Sequence, residues 1–378
     1  MQLPIKSRSL LSSILEPWYG SLDDPAEAQR RVLEELVGMY AKTEYGKENS
    51  ASTINKMEDY RRNFPKINYV GLIKYLDKVK TGNYEAILPE PPACWVMTRG
   101  STGPAKVLPA TRTHLQHIIA CGARALINYC ERKQDFGLFA GRILNLNFPS
   151  RVYIMDTKVG ETSYGYSSGT YARIFPSLSG TGLIPLQEEI DALGSGINWQ
   201  DWERRFELVY ARAANENVTA AMGVAPVILS FARFVKRKYG KLPKDLWKVH
   251  GIFCTSVRKI QYKYAPKLRK YYGEVPVVEI YSATEGVFAQ QKDDLPYVTP
   301  NYDKYLFEVE TRRGLKMLHE LRRGEWGKLI ISSCMFPRYD IGDMIEAMGK
   351  HYFRVFGRVR TLHTLEHRIY RLLFGWFL

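Results

Sequence analysis

The amino-acid sequence predicts an α/β protein in which a mostly parallel sheet covered by helices is followed by a smaller β-rich region. Three observations lead there. Between residues 199 and 280, helix-period segments alternate with short apolar runs, the pattern of strands joined by crossover helices. After Tyr305 the texture changes to short strands and turns, as in Gly327-Lys328-Leu329-Ile330-Ile331-Ser332. Finally, 45% of the 378 residues are hydrophobic, enough for one large core or two ordinary ones, which sets disorder aside.

The elements follow from local chemistry. Asp24-Pro25-Ala26-Glu27 offers a capping side chain, a first-turn proline and an acidic residue near the helix start, and Val32, Leu33, Leu36, Val37 and Tyr40 recur at helical spacing. A helix is expected over 24–41 and another over 70–80, the latter closed by Gly82-Asn83 and a proline break at 89–92. Cys94-Trp95-Val96-Met97 reads as a strand, and 113–130 as a helix. Residues 142–172, rich in Gly, Tyr, Ser and β-branched side chains, read as short strands and loops. Helices are then expected at 199–215, 226–239 and 260–272, alternating with strands at 218–222, 249–254 and 275–280. No internal repeat, low-complexity tract or linker is apparent.

Lys and Arg outnumber Asp and Glu by 54 to 39, a net charge of +15 that favours anionic partners such as nucleotides or coenzyme A without choosing among them. No nucleic-acid signature accompanies the charge, so nucleic acid is not an expected partner. Five cysteines without a C-x-x-C pair imply a reducing compartment. With no run of eighteen apolar residues and no convincing signal peptide, a cytoplasmic protein without a membrane partner is expected.

The stretch TRGSTGPAK, residues 98–106, combines glycines, hydroxyls and a lysine. Glycine lets backbone N–H groups approach an anion, Ser and Thr add short donors, and the lysine adds a mobile positive charge. Gly103 is followed by Pro104 rather than Lys, so this is not a P-loop, and alone it reads equally as a turn. Three later segments supply context. Glu279-Ile280-Tyr281-Ser282-Ala283-Thr284-Glu285-Gly286 places an aromatic, hydroxyls and a carboxylate at the end of an expected buried strand, where open parallel sheets gather ligands. Arg338-Tyr339-Asp340-Ile341-Gly342-Asp343 sets an aspartate on a glycine turn, and Phe356-Gly357-Arg358 presents an arginine.

In this order the four segments resemble the adenylate-forming enzyme superfamily, and more narrowly the auxin-responsive promoter family of acyl acid-amido synthetases, including its microbial members. MYAKTEYGKEN, EDYRRNFPKINY, VTAAMGVAPVILSFARF and DLWKVHGIF resemble that family's segments too, so the likeness covers nearly all of 28–358. The resemblance implies that Ser101, Thr102, Gly103 and Lys106 handle the phosphates of ATP, that Tyr281 lies against adenine with Ser282 beside it, and that Thr284 sits near the α-phosphate. It further implies Glu285 as the Mg²⁺ carboxylate, Asp343 as the ribose-binding residue and Arg358 as the arginine closing the nucleotide site. Val224, Thr255, Ser256 and Ala283 match positions bordering the acyl acid. Two positions depart from the commoner motif, Arg99 where a small residue is usual and Ala105 where proline often stands.

The implied reaction suits these residue types. A carboxylate attacks the α-phosphorus of ATP, and Lys106, backbone N–H groups and Mg²⁺ stabilise the charge on phosphorus and on departing pyrophosphate. The acyl group then passes to an amine such as an amino acid, or to coenzyme A. Family members continue into a small C-terminal lid domain, whereas here only twenty residues follow Arg358 (378 − 358). The expected organisation is therefore an adenylate-forming N-terminal domain over 1–358 and a short, helical remnant over 359–378, the lid absent. A nucleotide- or acyl-binding protein with little catalysis, or one part of a split ligase served by a separate C-terminal domain protein, stays open as the alternative.

Other signals carry less. His363-Thr364-Leu365-Glu366-His367 matches H-x-x-E-H, but too little chain follows for a zinc peptidase. His114 and His117, one helical turn apart without a third ligand, read as a solvated helix face. Gly180-Thr181-Gly182 and Gly194-Ser195-Gly196 lack the remaining glycine of a dinucleotide fingerprint and read as loops.

Overall fold

A computed structural model describes residues 5–99, 105–158, 160–178, 181–255 and 257–359, with 364, 365, 367 and 369. The chain divides into two compact units. The first holds 1–15, 94–110 and 115–296, the second 16–93, 111–114 and 297–378.

The strands in the first part of the chain are β1 (Pro92–Met97), β2 (Val107–Thr111), β3 (Arg142–Asn145), β4 (Tyr153–Thr157), β5 (Gly160–Tyr166), β6 (Ser177–Leu178), β7 (Thr181–Ile184), β8 (Val218–Val224), β9 (Gly251–Thr255), β10 (Val277–Ala283) and β11 (Gly286–Gln290). In the first unit β11-β10-β9-β8-β3-β7-β6 lie side by side. Pairing from β10 through β9, β8 and β3 to β7 is parallel, and β11 and β6 are antiparallel at the edges. This is the expected parallel sheet covered by helices. A smaller sheet runs β2-β1-β5-β4, with β1 parallel to β5.

One face of the parallel sheet is covered by helices Trp199–Ala213, Ala225–Tyr239 and Ala265–Tyr272, whose Phe206, Ile228, Phe231, Val235 and Leu268 meet Val218, Ile252 and Val277 in a single apolar core. Ala225–Tyr239 forms because Pro226 suits the first turn, its apolar residues recur on one side, and Lys236–Lys238 complement the negative end of the helix dipole before Gly240 (φ +68°) ends it. The helix expected at 260–272 begins as a π-turn, Ile260–Tyr264, entered through Lys259 at φ +60°. Two expectations need correction. Within 142–172, Ser167–Ile174 is a helix, and Thr181-Gly182 opens β7 rather than a loop.

In the second unit, β12 (Thr299–Pro300) precedes β13 (Leu306–Thr311), β14 (Gly314–Met317), β15 (Trp326–Ser332), β16 (Tyr339–Gly349) and β17 (Tyr352–Arg358). The last five form an antiparallel sheet in the order β14-β13-β15-β16-β17. Helix Pro25–Tyr40 starts as its sequence predicts, with Asp24 accepting the Glu27 N–H. Buried Gln29 ties it to the chain before β13 by donating to the Tyr302 and Tyr305 carbonyls and accepting the Phe307 N–H. These three bonds satisfy the buried Gln29 amide, which explains a polar residue on the apolar side of this helix.

Helix Arg112–Lys133 corrects one further reading: His114 is fully buried, because the face that carries it is covered rather than solvated. Among the described residues no helix is long and apolar enough to cross a membrane. All five cysteines are free thiols, four of them buried.

Candidate active site

The parallel register aligns the carboxyl ends of three strands, with Val224 of β8 beside Thr255 of β9 and Thr255 beside Ile280 of β10. Ala283 follows at the tip of β10. The candidate acyl residues Val224, Thr255 and Ala283 therefore come from neighbouring strand ends, while Ser256 lies outside the described residues.

Between β10 and β11 only Thr284 and Glu285 turn the chain, and both are buried, at 7% and 5% exposure. A register shift between Tyr281 and Ser282 kinks this end of the hairpin. Thr284 is held from two sides by the helix that follows β5. Its hydroxyl is 3.2 Å from that of Ser167, and its carbonyl accepts the Tyr171 phenol at 3.1 Å. Burial, helped by the neighbouring Cys94 and Glu285, pushes the Tyr171 phenol well above its usual pKa, which keeps it a donor. Sequence reasoning missed Ser167 and Tyr171, because their segment carried no helical signal strong enough to override its Gly- and Tyr-rich composition.

The loop after β1 reaches the same place. Its ends are clasped reciprocally: the Thr98 N–H donates to the Lys106 carbonyl and the Lys106 N–H donates to the Thr98 hydroxyl, both at 2.9 Å. Ser101, Thr102 and Gly103 lie outside the described residues. Lys106 directs its ammonium to 3.8 Å from Glu285 Oε1, so the closing lysine of the loop and the carboxylate after β10 converge. Tyr281 packs its ring 5.6 Å from Phe288.

Among the described residues no three His, Cys, Asp or Glu side chains cluster as a metal cage. Glu285 fits Mg²⁺ as a lone hard-oxygen ligand, since that ion commonly takes one or two carboxylates and fills its other positions with water and phosphate oxygens. The H-x-x-E-H reading falls on His363 and Glu366, outside the described residues, as does most of the expected C-terminal helix.

In the second unit, Asp343 and Arg358 face one another across β16 and β17, and Arg358 Nε donates to Asp343 Oδ1 at 2.8 Å. The glycine turn expected here is part of β16: Gly342, at φ +82°, sits where the pairing with β15 slips between Lys328 and Ile330, with its N–H on Asp340 Oδ1, and Asp340 is held by Lys328 at 2.9 Å. The motif thus builds a preset carboxylate–guanidinium pair.

Two tests arise here. Glu279, in the strand leading to Tyr281, has its carboxyl pushed up to about 7 by burial, against an ordinary value of 4.5. Because the folded state holds this proton more tightly than the unfolded chain, stability present below about pH 4.5 is lost as pH rises through about 7. Between pH 5 and 8 the native protein should lose about 1–3 kcal/mol more than Glu279→Gln in denaturant titrations; equal losses would show that Glu279 does not couple to folding. A Cβ at Gly169 would lie 1.9 Å from the Phe148 carbonyl oxygen. Gly169→Ala should therefore displace the helix that holds Thr284, costing about 1–3 kcal/mol of stability.

The GH3 family N-terminal domain matches residues 19–179. The structure is similar to AtGH3.15 acyl acid amido synthetase in complex with 2,4-DB, with a TM-score of 0.72 and 16% identity over 95% of this chain and 72% of that one. It is similar as well to 2-hydroxyisobutyryl-CoA ligase in complex with 2-HIB-AMP and CoA in the thioesterification state, at TM-score 0.66 and 14% identity, again over 95% and 72%. The same ligase in its postadenylation state gives 0.62 and 14%, over 88% and 67%. At these identities the likeness concerns the fold. Comparison with curated proteins returns no match.

Proposed function

We propose that this chain activates a carboxylic acid as its acyl-adenylate, using ATP and Mg²⁺, and passes the acyl group to an amine such as an amino acid or to coenzyme A. The observation that carries the reading is the convergence of Lys106 and Glu285 from two separate loops at the carboxyl end of the first unit's sheets. In the first step the acid's carboxylate oxygen bonds to the α-phosphorus and the bond to pyrophosphate breaks. Lys106 offsets the negative charge that develops, and the N–H groups of the loop holding Ser101, Thr102 and Gly103 do the same from the backbone. Glu285 would hold Mg²⁺, which when bound neutralises phosphate charge. Thr284, held by Ser167 and Tyr171, is assigned to the α-phosphate.

Tyr281, with Ser282 beside it, takes the adenine, while Val224, Thr255, Ser256 and Ala283 border the acid. In the second unit Asp343 is assigned to the ribose hydroxyls, where charge-assisted hydrogen bonds contribute about 1.5–3 kcal/mol each. Arg358 orients that carboxylate and completes the nucleotide set. In the second step the acceptor's amine or thiol attacks the acyl carbon and AMP leaves.

The test is acid-dependent exchange of labelled pyrophosphate into ATP across aromatic and aliphatic acids. Exchange that requires the acid supports adenylation. ATP binding without exchange for any acid would replace it with a nucleotide-binding role.

A further inference from the structure

The positive charge of this chain is concentrated in one stretch. Residues 233–275 carry 13 Lys and Arg against two acidic residues, Asp245 and Glu274, a net of +11 (13 − 2) out of the +15 of all 378. Each of these lysines alone reads as a solvated helix position.

The fold gathers them. Helix Ala225–Tyr239, the short helix Pro243–Leu246 and helix Ala265–Tyr272 with its π-turn belong to the layer that covers one face of the parallel sheet. They pack on one another: Trp247 stacks on Phe231 with 6.3 Å between ring centres, and the Tyr272 phenol donates to the Ile228 carbonyl at 3.4 Å. Their apolar residues are turned to the sheet, which leaves Lys236, Lys241, Lys244 and Lys248 exposed on the outer side. Lys263, Lys267 and Lys270 are exposed there as well. None of these seven makes an ion pair with a described residue, whereas Arg237 and Lys238, at the border with helix Trp199–Ala213, are taken by Glu203 and Glu207. Like charges held this close repel one another unless an anionic surface meets them.

The kind of anion follows from what else the face carries. Nine of the thirteen basic residues are lysines, compact charges suited to a diffuse field, whereas recognition of single phosphates or carboxylates favours the fork of arginine. Protein interfaces have an apolar centre and are depleted of lysine, and single-stranded nucleic acid is bound on several aromatic platforms. Here Tyr262, 66% exposed on the π-turn with Lys263 next to it, is the one large hydrophobic residue exposed within 233–275 among the described residues. A lone tyrosine among lysines suits the headgroup level of a bilayer, where its ring meets apolar and its hydroxyl polar surroundings.

We propose that this face adsorbs the chain onto an anionic phospholipid bilayer, with the lysines over the headgroups and Tyr262 at their level. No helix among the described residues is long and apolar enough to cross a membrane, and the want of such a segment is why the sequence alone leads to no membrane partner. Adsorption by charge needs none. It does not depend on the acid-activating function proposed above.

The experiment is co-sedimentation of the full chain with phosphatidylcholine vesicles, with and without about one third phosphatidylserine, beside a titration with duplex DNA. Binding to the anionic vesicles should be at least tenfold tighter than to the neutral ones, and should fall at least tenfold as salt rises from about 0.1 M to about 0.5 M. The triple variant Lys263→Gln, Lys267→Gln, Lys270→Gln should weaken it at least tenfold, and so should Lys241→Gln, Lys244→Gln, Lys248→Gln. Lys42→Gln, Lys47→Gln, Lys56→Gln removes the same charge from exposed positions of the second unit and should change it less than threefold. No preference for anionic vesicles would overturn the proposal, as would an equal loss in the second-unit variant. Tighter binding to DNA than to anionic vesicles, at equal salt and equal phosphate, would overturn it in favour of nucleic acid.

Discussion

Replacing Lys106 with alanine is expected to lower acid-dependent pyrophosphate exchange by about 10²-fold or more, the usual cost of removing one preorganised group that meets transition-state charge. ATP affinity should fall at least tenfold, about 1.4 kcal/mol. Folding should be nearly untouched, because the Lys106 side chain is 27% exposed and its 3.8 Å approach to Glu285 is a loose ion pair. Lys106→Arg is a useful companion, since it keeps the charge but replaces a compact ammonium with a planar fork that fits a crowded phosphate loop differently. Unchanged exchange and unchanged nucleotide affinity in Lys106→Ala would show that the loop is an ordinary turn. Asp343→Ala should weaken ATP binding at least tenfold as well.

The largest effect on stability is expected at Arg338, the first residue of the segment ending in Asp343. Arg338 and Glu308 are 4% and 1% exposed. The guanidinium donates twice to the Glu308 carboxylate, at 2.9 and 3.2 Å, and to the carbonyls of Arg61 and Phe64 at 3.0 and 2.7 Å. Arg338→Met would leave Glu308 buried with only Arg61 Nε opposite it and two carbonyls unmet, at a cost of about 3–5 kcal/mol. Replacing both members, Arg338→Met with Glu308→Leu, should recover part of that loss, because no buried charge is then stranded. Denaturant titration measures both. By contrast, Arg237→Gln, which breaks an exposed pair with Glu203, should change stability by less than about 1 kcal/mol. A loss at Arg338 no larger than at Arg237 would mean that the buried network contributes little.

These two residues mark the boundary of what a sequence reading reaches. The loop ending at Lys106 stood out in the sequence because glycines, hydroxyls and a lysine crowd into nine residues, a local feature that its surroundings do not alter. Arg338 did not, since an arginine beside a tyrosine and an aspartate reads the same whether exposed or buried. His114 shows the same limit. The helix that bears it has the expected period, but which face is covered depends on what packs there, and its imidazole is fully buried.

The sequence by itself determined the α/β class, the alternation of parallel strands and helices from Trp199 to Ile280 and the β-rich segment after Tyr305. Those follow from periodicity, capping and turn chemistry, which act over a few residues. Only the tertiary structure decided that Lys106 and Glu285 converge, that Ser167 and Tyr171 brace Thr284, and that Arg338 is buried against Glu308. Each of these depends on strand order and register, which bring together residues as far apart as 106 and 285 in the chain, and no local pattern encodes such a pairing.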